Sequence, residues 1–306
     1  MKIFFDNVNF KSDSGPNSFA LKLANAMDYL GHRINQDVDP DVQLSFINDV
    51  NKVAPMFQRL DGIYFNSSQD WQSMNEPIRR TYESAVGVIF QSHFNKILTE
   101  RYFGVHPNSC VIHNGTNLTE IQDQPAFTHP DLDNFDRVWA CASAWRPHKR
   151  LPENIRYFLE NSAEKDCLLI AGKNSNGSNS SSNLLQSSKN PRIFYMGQLE
   201  RQQLIRVYKR ADYFVHLALM DHCPNVVVDA RAAGCKIICA SSGGTQEIAG
   251  SDAVIVQDMD WDYEPFALYE PPRLNFTHSA RNTHDNTIDI NLVAQKYISM
   301  LATSRR

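Results

Sequence analysis

Three basic residues, Arg146, Lys149 and Arg150, crowd into the run Ser143-Ala144-Trp145-Arg146-Pro147-His148-Lys149-Arg150, directly after an apolar stretch. A clamp for phosphate oxygens needs such side chains, because arginine bonds the oxygens in pairs and lysine supplies a point charge. The same charges would also suit a plain solvated turn. A second constellation holds two carboxylates, Asp221 and Asp229, with Cys223, Pro224, Asn225 and Val226 between them. Proline suits the first turn of a helix. The N–H groups that follow it point outward and can meet an anion. Asp229 then falls inside a helix of Val and Ala, where a carboxylate needs partners if it is buried; a capping or solvated Asp is the alternative. Ser241 to Thr245 is a Ser/Gly loop containing Gly243 and Gly244. Gly15, Gly197, His93 and His113 complete the candidates. Each of these four also has a plain reading, as a turn glycine or a structural histidine.

The elements that must position these residues follow a repeating grammar. From Ala211 to Ile248 an apolar run (213–219), a polar turn (221–225), a helical segment (226–233), a second apolar run (236–240) and the Ser/Gly loop succeed one another. That is a strand-loop-helix-turn-strand unit of a parallel α/β sheet. Ligands of such sheets lie beyond the C-terminal ends of the strands, beside helix N-termini. The same alternation starts at the N-terminus. Strands are expected at 2–6, 42–47, 62–65, 85–90 and 111–115, and helices at 18–30, 54–60, 76–84 and 92–102. Ser92 is a suitable N-cap. Residues 121–136 lack periodicity and read as a linker. Beyond them strands are expected at 137–142, 167–171, 192–196 and 254–256, with helices at 152–160 and 200–210. Residues 174–190 are Asn/Ser-rich and read as a surface loop. Residues 258–272 show no clear element, and 288–300 read as a terminal helix.

Length and composition bound the function. The chain has 306 residues, enough for two domains, with 42% hydrophobic residues and a formal net charge of −4. No basic footprint for nucleic acid is present. No apolar run approaches the ~20 residues of a membrane span. The six cysteines form no Cys-x-x-Cys pair, and free buried thiols in a reducing cytoplasm are expected. Neither a Gly-x-Ser-x-Gly, a P-loop nor a His-Glu-x-x-His pattern occurs. Asp131-Leu132-Asp133 has metal-ligand spacing but lies in the linker.

The stretch Asp221, HCPNVVV, Asp229, ARAAG, KIICA, Gly243-Gly244 and Glu247 resembles the nucleotide-sugar site of the retaining glycosyltransferases of family 4, which have the GT-B fold. The run AVGVIFQSHFNKILTERYFG followed by CVIHNGTNL is similar to the text that closes their first domain. This chain departs from the family pattern in three ways. Asp stands at both acidic positions, where the family usually has Glu. Ala144 stands where the family's arginine usually sits. Gly15 is alone where two adjacent glycines are usual.

The resemblance implies an α/β chain of two Rossmann-like domains whose parallel sheets face a central cleft. Residues 1–120 would form the acceptor-side domain, 121–136 the linker and 137–285 the nucleotide-sugar domain. Residues 286–306 would be a helix packing back on the first domain. It implies that Lys149, with Arg146 or Arg150, neutralises the leaving diphosphate. Asp229 would bond the donor ribose, and Asp221 and the following amides would meet the transferred sugar. Gly197 would hold the base, Gly15 would face the phosphates, and His93, His113, Gly243 and Gly244 are further contributors. The expected activity is retaining, hexosyl-type transfer from a nucleoside diphosphate sugar, with neither metal nor cofactor. The acceptor, a carbohydrate, a lipid-linked group or a protein, is open, and peripheral membrane contact is open with it. The alternatives are a related enzyme of the same fold, such as a nucleotide-sugar epimerase or a sugar phosphorylase, and a catalytically silent nucleotide-sugar-binding protein.

Overall fold

The structure is a computed structural model, and it describes residues 1–12, 14–36, 38–173, 186–187, 189–278 and 282–305. Most of the Asn/Ser-rich segment expected as a surface loop at 174–190 lies outside the described residues.

The first domain is a parallel sheet covered by helices. In chain order it comprises β1 (Lys2–Asp6), α1 (Gly15–Tyr29), β2 (Arg33–Ile34), β3 (Val42–Phe46), β4 (Met56–Leu60), α2 (Trp71–Ser84), β5 (Gly87–Phe90), α3 (His93–Phe103) and β6 (Ser109–Val111). The sheet order is β2-β1-β3-β4-β5-β6, and every pairing is parallel. Here the structure corrects the reading of 54–65. Residues 56–60 are a central strand rather than a helix, and 62–65 run as irregular chain. All five residues of β4 are buried. Gln58 and Arg59 break its apolar run, yet their N–H groups find partners. Gln58 Nε2 donates to the carbonyls of Ile47 and Ile78. The Arg59 guanidinium bonds Asn114 at 2.7 Å, pairs with Asp61 and lies over the ring of Phe19. A strand buried on both faces tolerates polar side chains only with such partners.

The expected linker is itself partly helical, with α4 (Leu118–Asp123) and a 3₁₀ turn at Pro130–Asn134. Asn117 caps α4 by accepting from Glu120 N. The second domain follows with β7 (Arg137–Ala142), α5 (Leu151–Asn161), β8 (Asp166–Ala171), β9 (Gln186–Ser187), β10 (Ile193–Gly197), α6 (Arg201–Arg210), β11 (Tyr213–His216), α7 (Asn225–Ala232), β12 (Lys236–Ala240), α8 (Thr245–Ile248) and β13 (Val254–Val256). The order is β13-β12-β11-β7-β8-β10-β9, parallel except at β9. Its core of Val138, Ala140, Leu169, Phe214, Val227 and Ile237 sits between the sheet and its helices. The six cysteines are free and five are buried, with burial pushing the thiols of Cys141, Cys167, Cys223, Cys235 and Cys239 up.

Two segments return from the second domain to the first. α9 (Ile290–Leu301) lays Ile290, Val293, Ala294, Tyr297 and Leu301 into the core that holds Phe19, Ala20 and Leu23 of α1. Residues 258–272, without regular structure, also cross. Ser67 N donates to Phe266 O at 2.9 Å, and the Tyr102 hydroxyl donates to Tyr263 O at 2.7 Å. No helix among the described residues is long and apolar enough to cross a membrane.

Candidate active site

The basic loop leaves the C-terminal end of β7, at the middle of its sheet. Arg146 opens a 3₁₀ turn over Pro147–Lys149, and Arg150 ends it at φ 52°. This left-handed position is unfavourable for a residue with a Cβ and is held by a buried ion pair. Arg150 Nη1 and Nη2 bond the two oxygens of Asp258 at 2.6 and 3.1 Å, and Nη2 also donates to Pro272 O. Arg150 is therefore a structural anchor, and its guanidinium is turned into the protein at 1% exposure. Lys149, one residue earlier, faces the other way. Arg146 is exposed, and its carbonyl accepts from Lys149 N at 2.9 Å.

Lys149 Nζ meets Asp221 Oδ2 at 2.5 Å. The same oxygen accepts from His216 Nε2 at 2.8 Å. His216 ends β11, is 3% exposed and lies five residues before Asp221. Burial works to raise the pKa of Asp221. The Lys149 charge and the His216 hydrogen bond outweigh it and hold the carboxyl well below its ordinary range. Burial lowers the pKa of His216 and takes that of His148 down to about 4. The two rings are thus neutral at pH 7, and Lys149 is the cation on this carboxylate. His148 O accepts from Leu219 N at 2.7 Å, which ties the basic loop to the Asp221 loop. Met220 enters that loop at φ 54°, a local strain of the kind found beside functional groups.

Gly243 and Gly244 press on the Asp221 loop. A Cβ on Gly243, whose φ is +80°, would stand 2.5 Å from Asp221 O. One on Gly244 would stand 2.7 Å from Ser92 Cβ and closer still to His222 O. Gly244 N donates to Asp221 O at 2.7 Å. Gly244→Ala is expected to force the two loops apart. It should cost about 1–3 kcal/mol of stability, as overpacking does, read as a lowered midpoint in urea. An unchanged midpoint would show that the loops give way freely.

Asp229, on α7, is 5% exposed and fully engaged. Its Oδ1 pairs with Lys22 of α1 at 3.0 Å, and its Oδ2 with Arg201 of α6 at 2.8 Å. Arg201 also binds Glu120 at 2.8 Å and Thr116 Oγ1 at 3.2 Å. Burial works to raise the Asp229 pKa, but the charges of Lys22 and Arg201 bring it down to about 2. The residue expected to meet the donor ribose is thus also the hub of an ion cluster that joins the domains. Nearby, Asn114 Nδ2 donates to Cys223 O and Asn225 Oδ1, each at 3.0 Å, and Asn225 Nδ2 donates to Gly15 O at 2.8 Å. Pro224 is the N-cap of α7, so the N–H groups of Asn225 and Val226 have no intrahelical partner.

Gly15, Lys22 and Asn114 of the first domain thus meet Asn225, Asp229 and Cys223 of the second, while Asp221 joins Lys149 to the Gly243–Gly244 loop. His113 Nε2 bonds Glu247 at 2.8 Å, and Glu247 also accepts from the backbone of His93 and Phe94. This crossing pairs α8 with the N-terminus of α3, a favourable place for a carboxylate. The His93 side chain is exposed, 6.2 Å ring to ring from His113. Gly197 closes β10 at φ 65° and accepts from Gly172 N at 2.7 Å, so it serves as a turn residue. Four residues of this region escaped the sequence reading: Lys22, Asn114, Arg201 and His216. Lys22 had a readable signal, since it lies three residues from Phe19 and four from Ala26, on the apolar face of its helix. Among the described residues no group of His, Cys, Asp and Glu has the arrangement of a metal site.

Comparison with known proteins agrees with this architecture. The family model described as Glycosyl transferases group 1 matches residues 136–263. No curated protein matches the chain. Among solved structures, Anabaena HepE in complex with UDP-glucose superposes with a TM-score of 0.65 at 13% identity, covering 99% of this chain and 100% of that one. A glycosyltransferase from Rickettsia africae gives a TM-score of 0.62 at 12% identity, over 100% and 98%. Sucrose-phosphate synthase from Thermosynechococcus elongatus gives 0.61 at 12% identity, over 98% and 94%. At these identities the superpositions speak for fold. The chain is thus a two-domain α/β protein of the GT-B fold, and residues 136–263 of it, which carry Lys149, Asp221 and Asp229, match the Glycosyl transferases group 1 model.

Proposed function

We propose that this protein is a retaining glycosyltransferase of the family 4 kind, which moves a hexosyl group from a nucleoside diphosphate sugar to an acceptor hydroxyl. The observation that carries the reading is the Lys149–Asp221 pair at the C-terminal edge of the second sheet, inside the segment matched by the Glycosyl transferases group 1 model. In this reading Lys149 exchanges Asp221 for the leaving diphosphate. Arg146, exposed, adds a second charge, and the amides of Asn225 and Val226 add hydrogen bonds. Preorganised donors of this kind stabilise charge that develops on a leaving group. Asp221, freed of Lys149, accepts from hydroxyls of the transferred sugar while His216 holds its orientation. No residue is assigned as a nucleophile, and the donor phosphate would serve as base in front-face attack. The cationic groups would do the work of a metal, so none is required. Asp229 would receive the ribose hydroxyls by yielding part of its hold on Lys22 or Arg201. A cytoplasmic site of action fits the reading.

The buried pairing of Asp229 favours a second reading. If that ion cluster does not yield, the fold binds a nucleotide sugar weakly or is catalytically silent. A thermal-shift screen of UDP, GDP, ADP and their sugars, without added metal, separates the two. A ligand bound only by the folded state raises its apparent stability, by about 2.7 kcal/mol at a hundredfold excess over its Kd. A clear shift with one diphosphate, followed by sugar release or transfer from that donor, upholds the enzyme. A shift without turnover points to the silent form. No shift with any diphosphate overturns the donor-site assignment.

A further inference from the structure

Asp221 belongs to the second domain, but the residues on either side of it are packed into the first. Leu219 and Met220 join the core cluster of Leu60, Phe65 and Phe94. His222 enters the first domain from the other side. Its ring lies against Gly62, just past the end of β4, where a Cβ would stand 2.5 Å from Nε2, 2.6 Å from Cε1 and 2.9 Å from Cδ2. Gly62 has φ 135°, which favours glycine, so the backbone there leaves a flat socket. Phe94 of α3 and Phe65 stand round it, at 5.2 and 6.4 Å from the His222 ring between centroids. Removal from water takes the pKa of this ring down to about 4, so it is neutral at pH 7. Its Nδ1 is buried and has no hydrogen-bond partner among the described residues. The first domain grips the next residue too: Asn114 Nδ2 donates to Cys223 O at 3.0 Å, and Asn114 N to Cys223 Sγ at 3.4 Å.

This grip bears directly on the Asp221 carboxylate. His222 N donates to Asp221 Oδ1 at 3.1 Å, while Oδ2 takes Lys149 and His216. The amide that fixes one carboxylate oxygen thus belongs to the residue whose ring the first domain encloses. We infer that His222 is a positioning residue of the centre: by holding its ring, the first domain keeps the Asp221 carboxylate turned to Lys149. This rests on the transferase reading above, in which Asp221 meets the transferred sugar. The backbone argues for such a hold. Met220, immediately before Asp221, sits at φ 54°, a conformation that persists only where the surroundings impose it. The ring acts here by its shape. A buried ring nitrogen without a partner adds a cost and no bond, and a phenyl ring of similar size would fill the same socket. Separation of the domains would withdraw Gly62 and Phe94 from the ring, free the His222 amide and loosen the Lys149–Asp221 pair. The centre is therefore complete only when the domains are closed, the state in which water is shut out of a reacting site.

The test compares the full chain with His222→Ala, His222→Phe, Phe94→Ala and the double alanine variant, each at a temperature where urea unfolding shows it folded. Turnover of UDP, GDP and ADP sugars and affinity for the free diphosphates are measured on each. Crystal structures of the two His222 variants give the position of Asp221. His222→Ala should lower kcat by about tenfold or more, with diphosphate affinity weakened by no more than about threefold, because Lys149 stays in place. His222→Phe should keep kcat within about threefold of the wild type. Phe94→Ala should act as His222→Ala does, and the double variant should be no slower than His222→Ala, since both changes open one socket. The Asp221 carboxylate should leave Lys149 in the His222→Ala crystal and remain there in the His222→Phe crystal. The inference is overturned if folded His222→Ala turns over as the wild type does, if its Asp221 keeps Lys149, or if the two alanine losses multiply. It is equally overturned if His222→Phe fails as His222→Ala does, which would assign the work to a ring nitrogen. A wild type that binds no diphosphate and cleaves no donor removes the transferase reading, and the two crystals then decide the positioning by themselves.

Discussion

Asp229→Ala should destabilise the protein by about 3–5 kcal/mol, because it strips the partner from a buried charge. Lys22 is 9% exposed, and without Asp229 its ammonium keeps, among the described residues, only Thr116 Oγ1, at 3.5 Å. Burial already lowers the pKa of Lys22, and Asp229 is the main influence opposing that. Chemical denaturation of the variant reads the loss directly. The double variant Lys22→Met with Asp229→Leu should recover much of it, since replacing both partners removes the uncompensated charge. A single variant as stable as the wild type would show that the ion cluster opens readily to solvent. The pH dependence has a definite sign. A carboxyl held at about 2 in the fold, against roughly 3.9 in the unfolded chain, stabilises fully above about pH 4. That contribution, of the order of 2 kcal/mol, is lost as the pH falls through about 2. The gap between wild type and Asp229→Ala should therefore narrow over that acid range and not between pH 5 and 8.

Lys149→Ala should lower turnover by about 10²–10³-fold, the usual effect of deleting one preorganised donor from a charge-stabilising site. Lys149 is the cation on Asp221, and both side chains are largely buried, 19% and 15% exposed. Its loss leaves Asp221 with the neutral His216 as its side-chain partner and raises the Asp221 pKa from its depressed value. Affinity for the nucleoside diphosphate should fall by about 1–3 kcal/mol, the worth of a charged hydrogen bond. Calorimetry on the diphosphate and a donor-turnover assay would give both numbers. Wild-type values for both would remove Lys149 from the site. Arg150→Ala should instead act on folding, because its guanidinium faces Asp258 and not the cleft.

The sequence by itself determined the fold class and most of the second domain. In that domain the apolar runs are short, β-branched and bounded by turns, so β7, β8, β10, β11, β12 and β13 are each legible from local pattern. The spacing of Asp221, Pro224 and Asp229, and the basic run after β7, located the two loops that meet at the cleft. Local pattern failed at β4. There Gln58 and Arg59 interrupt the apolar run, and their partners come from residues up to 238 positions away, as in Arg59 Nε donating to the Tyr297 hydroxyl. A period-based reading cannot see that a polar side chain will be satisfied by a distant element.

Tertiary structure alone decided which charges are free. Arg146, Lys149 and Arg150 are equivalent as letters, yet one is exposed, one holds Asp221 and one is locked on Asp258. The αL turn at Arg150 sends adjacent side chains to opposite sides of the chain. Lys22 and Arg201 joined Asp229 only through the packing of α1 and α6 against α7. Likewise the segment after β13, without regular pattern in sequence, became a wall of the cleft because Asn66, Tyr102 and Arg101 of the first domain hold it there. Burial and partner choice are non-local quantities, set by how elements pack, and spacing along the chain does not encode them.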